Sequence, residues 1–119
     1  MSGFFYGVKH VSGTGQAVNS TAEEVTLIAA PGAGKRIYLQ KLFVSVILIA
    51  TGGGGLVAIE NGSGGARIFE ADADAVETIA VDFGEPGYPL SENTLLNLTV
   101  DGAVTNEATA RATATGIVM

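Results

Sequence analysis

Three carboxylates at alternate positions, Glu70, Asp72 and Asp74, have the spacing in this chain that most resembles a metal site. On an extended strand these positions share one face, so their charges repel unless a hard cation such as calcium lies among them. The run lacks the glycine and the closing bidentate glutamate of an EF-hand loop. A solvated acidic face that discourages pairing at a strand edge accounts for the same residues. The expectation is therefore no resident metal and no cofactor.

Pro31-Gly32-Ala33-Gly34-Lys35-Arg36 has the glycines and lysine of a phosphate-binding loop but departs from that pattern twice. The leading glycine would fall at position 29, which is Ala29, and Arg36 stands where a magnesium-binding Ser or Thr should follow the lysine. A strand-like run starts at Ile37, where a helix N-terminus should supply amide dipoles. The segment reads as a hairpin-type turn. His10 is the only histidine, which leaves no set of imidazoles for a metal triad and no supported Ser-His-Asp relay. Asp82 and Glu85 have the residue types of a glycosidase pair, but spacing along the chain does not set the separation that such chemistry needs. The chain is expected not to be an enzyme.

The elements that would position these residues are strands. About eight short β-type runs are separated by glycine clusters, the pattern of a sandwich or barrel. Ile79, Val81 and Phe83 alternate with Thr78, Ala80 and Asp82, and Leu96, Leu98 and Val100 alternate with Asn97, Thr99 and Asp101. These are strands with one wet face. Ala108, Ala110, Ala112 and Ala114 alternate with polar residues up to Thr115, so an all-alanine face should pack unusually close to something. Between Arg36 and Ala50 the alternation slips: Ile37 and Leu39 share one face, whereas Leu42, Val44 and Val46 share the other. A bulge near Gln40 and Lys41, or burial of both faces, explains the slip. The run from Leu42 to Ala50 is uncharged, proline-free and β-prone, so it must sit centrally in a sheet or at a subunit interface to avoid edge aggregation. Leu42, Val44 and Val46 are the subunit-interface candidates.

The chain has 119 residues, 47% of them hydrophobic and 15% charged, with 17 glycines and no cysteine. That length supports one domain with one core, and the absence of cysteine excludes disulfides and thiolate metal sites. No apolar run approaches the roughly 20 residues needed to cross a bilayer as a helix, and residues 1–10 lack a signal-peptide core. A soluble product of the cytoplasm is expected, with no membrane partner. The formal net charge is -6, which opposes nonspecific binding to nucleic acid. The charge is also segregated. Residues 1–41 carry Lys9, Lys35, Arg36 and Lys41 against Glu23 and Glu24, whereas residues 60–107 carry Arg67 against ten carboxylates. Phe4, Phe5 and Tyr6 cluster just before Lys9, a segment that either packs on the chain's own sandwich or forms an arm that docks on a partner through aromatic contacts. The division expected is an N-terminal arm over 1–16 and a β-sandwich domain over 17–119.

The succession APGAGKRIYL, TGGGGLVAIENGSGG, GEPGYPLSENTLLNLTVDGAV and a final Ala/Thr strand resembles the capsid decoration, or cement, proteins of tailed bacteriophages. The resemblance covers roughly residues 17–119 and rests on segment order. It implies an all-β, single-domain antiparallel β-sandwich with a jelly-roll-like fold. It also implies a structural virion protein, made in the host cytoplasm, that binds the outer surface of the shell and stabilises it. Its partners would be the major capsid protein and further copies of itself, as a homotrimer. The capsid-binding candidates are Phe4, Phe5, Tyr6, Lys9, Lys35, Arg36 and Lys41. The alternative is a host-surface or carbohydrate-binding module of a head or tail fibre, with Tyr38 or Tyr88 stacking on sugar rings.

Overall fold

The computed structural model describes residues 8–18, 24–49, 55–72, 76–102 and 108–119. Nine strands follow one another: β1 (Lys9–Val18), β2 (Glu24–Ile28), β3 (Ile37–Ile49), β4 (Gly55–Asn61), β5 (Ala66–Asp72), β6 (Glu77–Asp82), β7 (Tyr88–Pro89), β8 (Leu96–Gly102) and β9 (Ala108–Val118). One sheet has the order β1-β9-β3-β6, with the two-residue β7 also on β3, and the other has the order β2-β8-β4-β5. Every pairing is antiparallel. With β6 and β7 counted as one interrupted strand, the chain crosses between the sheets at every connection except the β4–β5 hairpin, which is the path of a jelly-roll β-sandwich. Among the described residues no helix is long and apolar enough to cross a membrane.

The core lies between the sheets and draws on both. Ile37, Leu39, Leu42, Val44 and Val46 of β3 meet Val57 and Ile59 of β4 and Leu96, Leu98 and Val100 of β8, all of them at most 2% exposed. The slip in alternation along β3 is a bulge. The register on β9 shifts between Leu39 and Lys41, and this extra residue turns Ile37 and Leu39 to the same side as Leu42, Val44 and Val46. The interface expectation for Leu42, Val44 and Val46 is therefore corrected. The protein's own second sheet buries them, and β9 and β6 flank β3 on either side.

The alanine face of β9 does pack closely. Ala110, Ala112 and Ala114 are buried and stand opposite Ala17, Gly15 and Gly13 of β1. These small residues let β1 press onto β2. A Cβ on Gly13 would collide with the Leu27 carbonyl, and one on Gly15 would lie 2.9 Å from Val25 Cγ1. Two sequence-based boundaries change as a result. The sandwich begins at Lys9, not at residue 17, because Lys9 to Val18 pair with β9 along their whole length. The turn at residues 31–36 joins β2 and β3, which lie in different sheets, so it is an inter-sheet connection and not a hairpin.

Candidate attachment surface

Lys9 opens β1 opposite Val118, and Lys35 lies on the connection between β2 and β3. Arg36 and Met119 exchange backbone hydrogen bonds at 3.0 and 3.1 Å. These pairings bring the chain's first basic cluster to the end of the sandwich where β9 finishes. There an open cleft of about 500 Å³ forms between β1 and the β2–β3 connection, lined by Lys9, His10, Ser12, Leu27, Pro31 and Lys35 among others. Both lysines are exposed, so their ammonium groups are available to a partner.

The connection that carries Lys35 is tied down by the segment leading to β8. Gly32 N donates to Asn93 Oδ1 at 2.9 Å, Gly34 N donates to Glu92 Oε2 at 2.8 Å, and Asn93 N donates to the Lys35 carbonyl at 2.7 Å. The amides that would cradle a phosphate in a P-loop are thus already bonded to the protein's own side chains. The same bonds hold the cationic rim of the cleft in place.

Lys41 is not part of this cleft. It is exposed on the outer face of the first sheet, between Thr115 of β9 and Asp82 of β6. Phe4, Phe5 and Tyr6 lie outside the described residues. Glu70, Glu77, Asp82 and Glu85 are exposed. Glu77 and Asp82 belong to β6, at the opposite edge of the first sheet from Lys9. The charge segregation read from the sequence is thus only partly a separation in space: Lys9 lies across the sheet from Glu77 and Asp82, whereas Lys41 is the cross-strand neighbour of Asp82.

The remaining candidates separate from one another. Glu70 pairs with Arg67 Nη1 at 3.7 Å, Asp72 is the last residue of β5, and Asp74 lies outside the described residues. Among the described residues no three His, Cys, Asp or Glu side chains converge in a metal-binding group. Tyr38 and Tyr88 fall on opposite faces of the first sheet. Tyr88 stands opposite the core residue Leu39 and packs its ring against Phe83 with centroids 5.9 Å apart, whereas Tyr38 stands opposite Ile117. They cannot form one stacking platform.

Sequence reading missed a polar cluster on the outer face of the second sheet. Glu60 and Asn97 are cross-strand partners, only 5% and 2% exposed. Asn97 Nδ2 donates to Glu60 Oε1 at 3.0 Å, the Gly64 amide donates to the same oxygen at 3.3 Å, and Arg67 Nε lies 3.8 Å from Oε2. The β4–β5 turn folds back across β8 to reach β2, where Ser63 Oγ donates to Glu24 Oε1 at 2.7 Å. That turn is what buries a carboxylate on a face that alternation alone marks as wet.

No protein-family description and no curated protein matches the sequence. Several solved structures are similar in shape, among them the three that follow. The cyanophage Pam1 capsid asymmetric unit gives a TM-score of 0.49 at 16% identity, covering 91% of this chain and 82% of that one. The virus-like particle of the extra small virus of the giant freshwater prawn Macrobrachium rosenbergii gives 0.37 at 12%, covering 92% and 79%. Infectious bursal disease virus, Gx strain, gives 0.29 at 12%, covering 94% of this chain and 31% of that one. Likenesses at this level do not assign the chain to a family.

Proposed function

We propose that this protein is a non-enzymatic structural component of a virion that attaches to the outer surface of a capsid shell and reinforces it, acting as a homotrimer. The observation that carries the reading is the basic cleft of Lys9 and Lys35 at one end of an otherwise acidic jelly roll. Jelly-roll sandwiches are a recurrent viral shell architecture, and that support is an analogy of fold. The local argument is electrostatic. A protein of net charge -6 that presents two exposed lysines on a rigid rim has one orientation in which it approaches an acidic patch favourably. The major capsid protein supplies that patch, and many copies on one particle make weak single contacts sufficient. Phe4, Phe5 and Tyr6, which precede Lys9, extend the contact with apolar area. Synthesis takes place in the host cytoplasm, followed by attachment to the assembled shell.

The test is the molar mass in solution by light scattering, followed by co-sedimentation with shells that lack the protein. A trimer that saturates the shell at fixed stoichiometry is expected. Binding should weaken as salt rises and be lost in a Lys9→Glu/Lys35→Glu variant that remains folded. A monomer that stays in the supernatant, or a double variant that binds as well as the original, overturns the reading.

A further inference from the structure

Three departures from regular sheet geometry coincide on the outer face of the first sheet. The β3 bulge leaves Gln40 as the extra residue. On the neighbouring edge, pairing with β3 stops after Phe83 N, which donates to the Gln40 carbonyl at 2.8 Å, and resumes at β7. Between them Gly84–Gly87 makes an excursion. It is a held feature, since Gly84 N donates to Asp82 Oδ1 at 2.8 Å and Gln40 Nε2 donates to the Pro86 carbonyl at 3.2 Å. Gly87, at φ 116°, lies so near β3 that a Cβ there would come within 2.6 Å of the Leu39 carbonyl oxygen. Strand pairing does not need this insertion, and bulges of this kind recur where a sheet re-aims side chains at a site.

The excursion walls a groove. Two adjoining hollows of about 440 and 420 Å³ share His10, Gln40 and Glu85. One continues past Ser12, Lys41 and Thr115, and the other past Pro86, Ile117 and Met119. Each is within the usual size of a small-molecule site. One side of the groove thus offers hydroxyl, amide and carboxylate groups, and the other side is apolar. Lys41 and Glu85, which both line the groove, carry opposite charges, so it is not a cluster of like charges that would hold an ion. Its floor is β9, whose backbone is bonded on both sides, to β1 and to β3, so an extended peptide would find no free ladder of N–H and C=O groups to join.

We propose that this groove binds a neutral sugar ring, with Glu85 and Gln40 accepting and donating hydrogen bonds to its hydroxyls and Pro86 and Ile117 covering its C–H face. A pyranose has that division between a hydroxylated rim and an apolar face, and specificity comes from a few placed polar groups over an apolar lining. The site differs from the one expected at Tyr38 or Tyr88, and it does not depend on attachment to a shell.

The test is a titration of 15N-labelled protein with glucose, galactose, mannose and N-acetylglucosamine, followed by amide chemical shifts. At least one sugar should move the amides of Ser12, Gln40, Glu85 and Thr115 together. Glu85→Gln, at an exposed position, should keep the remaining spectrum and weaken that sugar by about tenfold or more, the loss expected for a hydrogen bond to a charged group. The proposal is overturned if no sugar moves these amides at millimolar concentration, if Glu85→Gln binds equally well, or if only an extended peptide produces the shifts. Shell co-sedimentation should be unchanged in Glu85→Gln, so failure here leaves the attachment reading standing, and the converse holds.

Discussion

Glu60 and Asn97 lend themselves to a double-mutant cycle, because they are buried cross-strand partners joined by a direct side-chain hydrogen bond. Asn97→Ala removes the donor 3.0 Å from a carboxylate that is 5% exposed. A hydrogen bond to a charged group contributes about 1.5–3 kcal/mol. The Gly64 amide and Arg67 stay in place, which puts the expected loss near the middle of that range, at about 2 kcal/mol. Glu60→Ala leaves the Asn97 amide, 2% exposed, without its acceptor, a loss of about 1–3 kcal/mol, and it also frees the β4–β5 turn. The double variant leaves neither group orphaned, so its loss should fall short of the sum of the singles by about 1–2 kcal/mol. Urea unfolding followed by circular dichroism measures all three. Singles that add to within about 0.5 kcal/mol of the double would show that the two side chains are not coupled, and the argument from burial would fail.

Two further stability measurements separate core from interface. Leu42→Ala should destabilise the fold by about 2–5 kcal/mol, as for a fully buried leucine, without changing the molar mass by light scattering; dissociation at unchanged urea midpoint would return Leu42 to a subunit interface. Gly13→Ala should cost about 1–3 kcal/mol through overpacking, since the new methyl meets the Leu27 carbonyl. An unchanged urea midpoint would show that β1 and β2 can move apart.

What the sequence made legible was whatever a local period encodes. The bulge in β3 appeared as a slip between Leu39 and Leu42, and the close approach of β9 appeared as its alanines. β1 did not appear as a strand, for a physical reason. Its inward positions Gly13 and Gly15 carry no apolar side chain, so the alternation that marks a strand is absent where the packing is tightest. Turn chemistry at Pro31–Arg36 is the same whether the chain returns within a sheet or crosses between sheets, and only the long-range pairing of β3 with β9 decides which. The cleft shared by Lys9 and Lys35, and the groove between His10 and Glu85, join residues far apart in the chain, beyond the reach of any local pattern. Burial of Glu60 was hidden because a folded-back turn covers it, not a neighbouring strand.

The position of β9 between β1 and β3 sets an order of events during synthesis. Until Ala108–Val118 have left the ribosome, β1 has no neighbour in its sheet, and β3 exposes along one flank the uncharged stretch that begins at Leu42. The nascent chain therefore carries an adhesive seam until β9 is made. Non-local pairing of this kind also slows folding. A chain truncated before β9 should be captured by chaperones or precipitate, because β9 is the strand that covers this flank of β3.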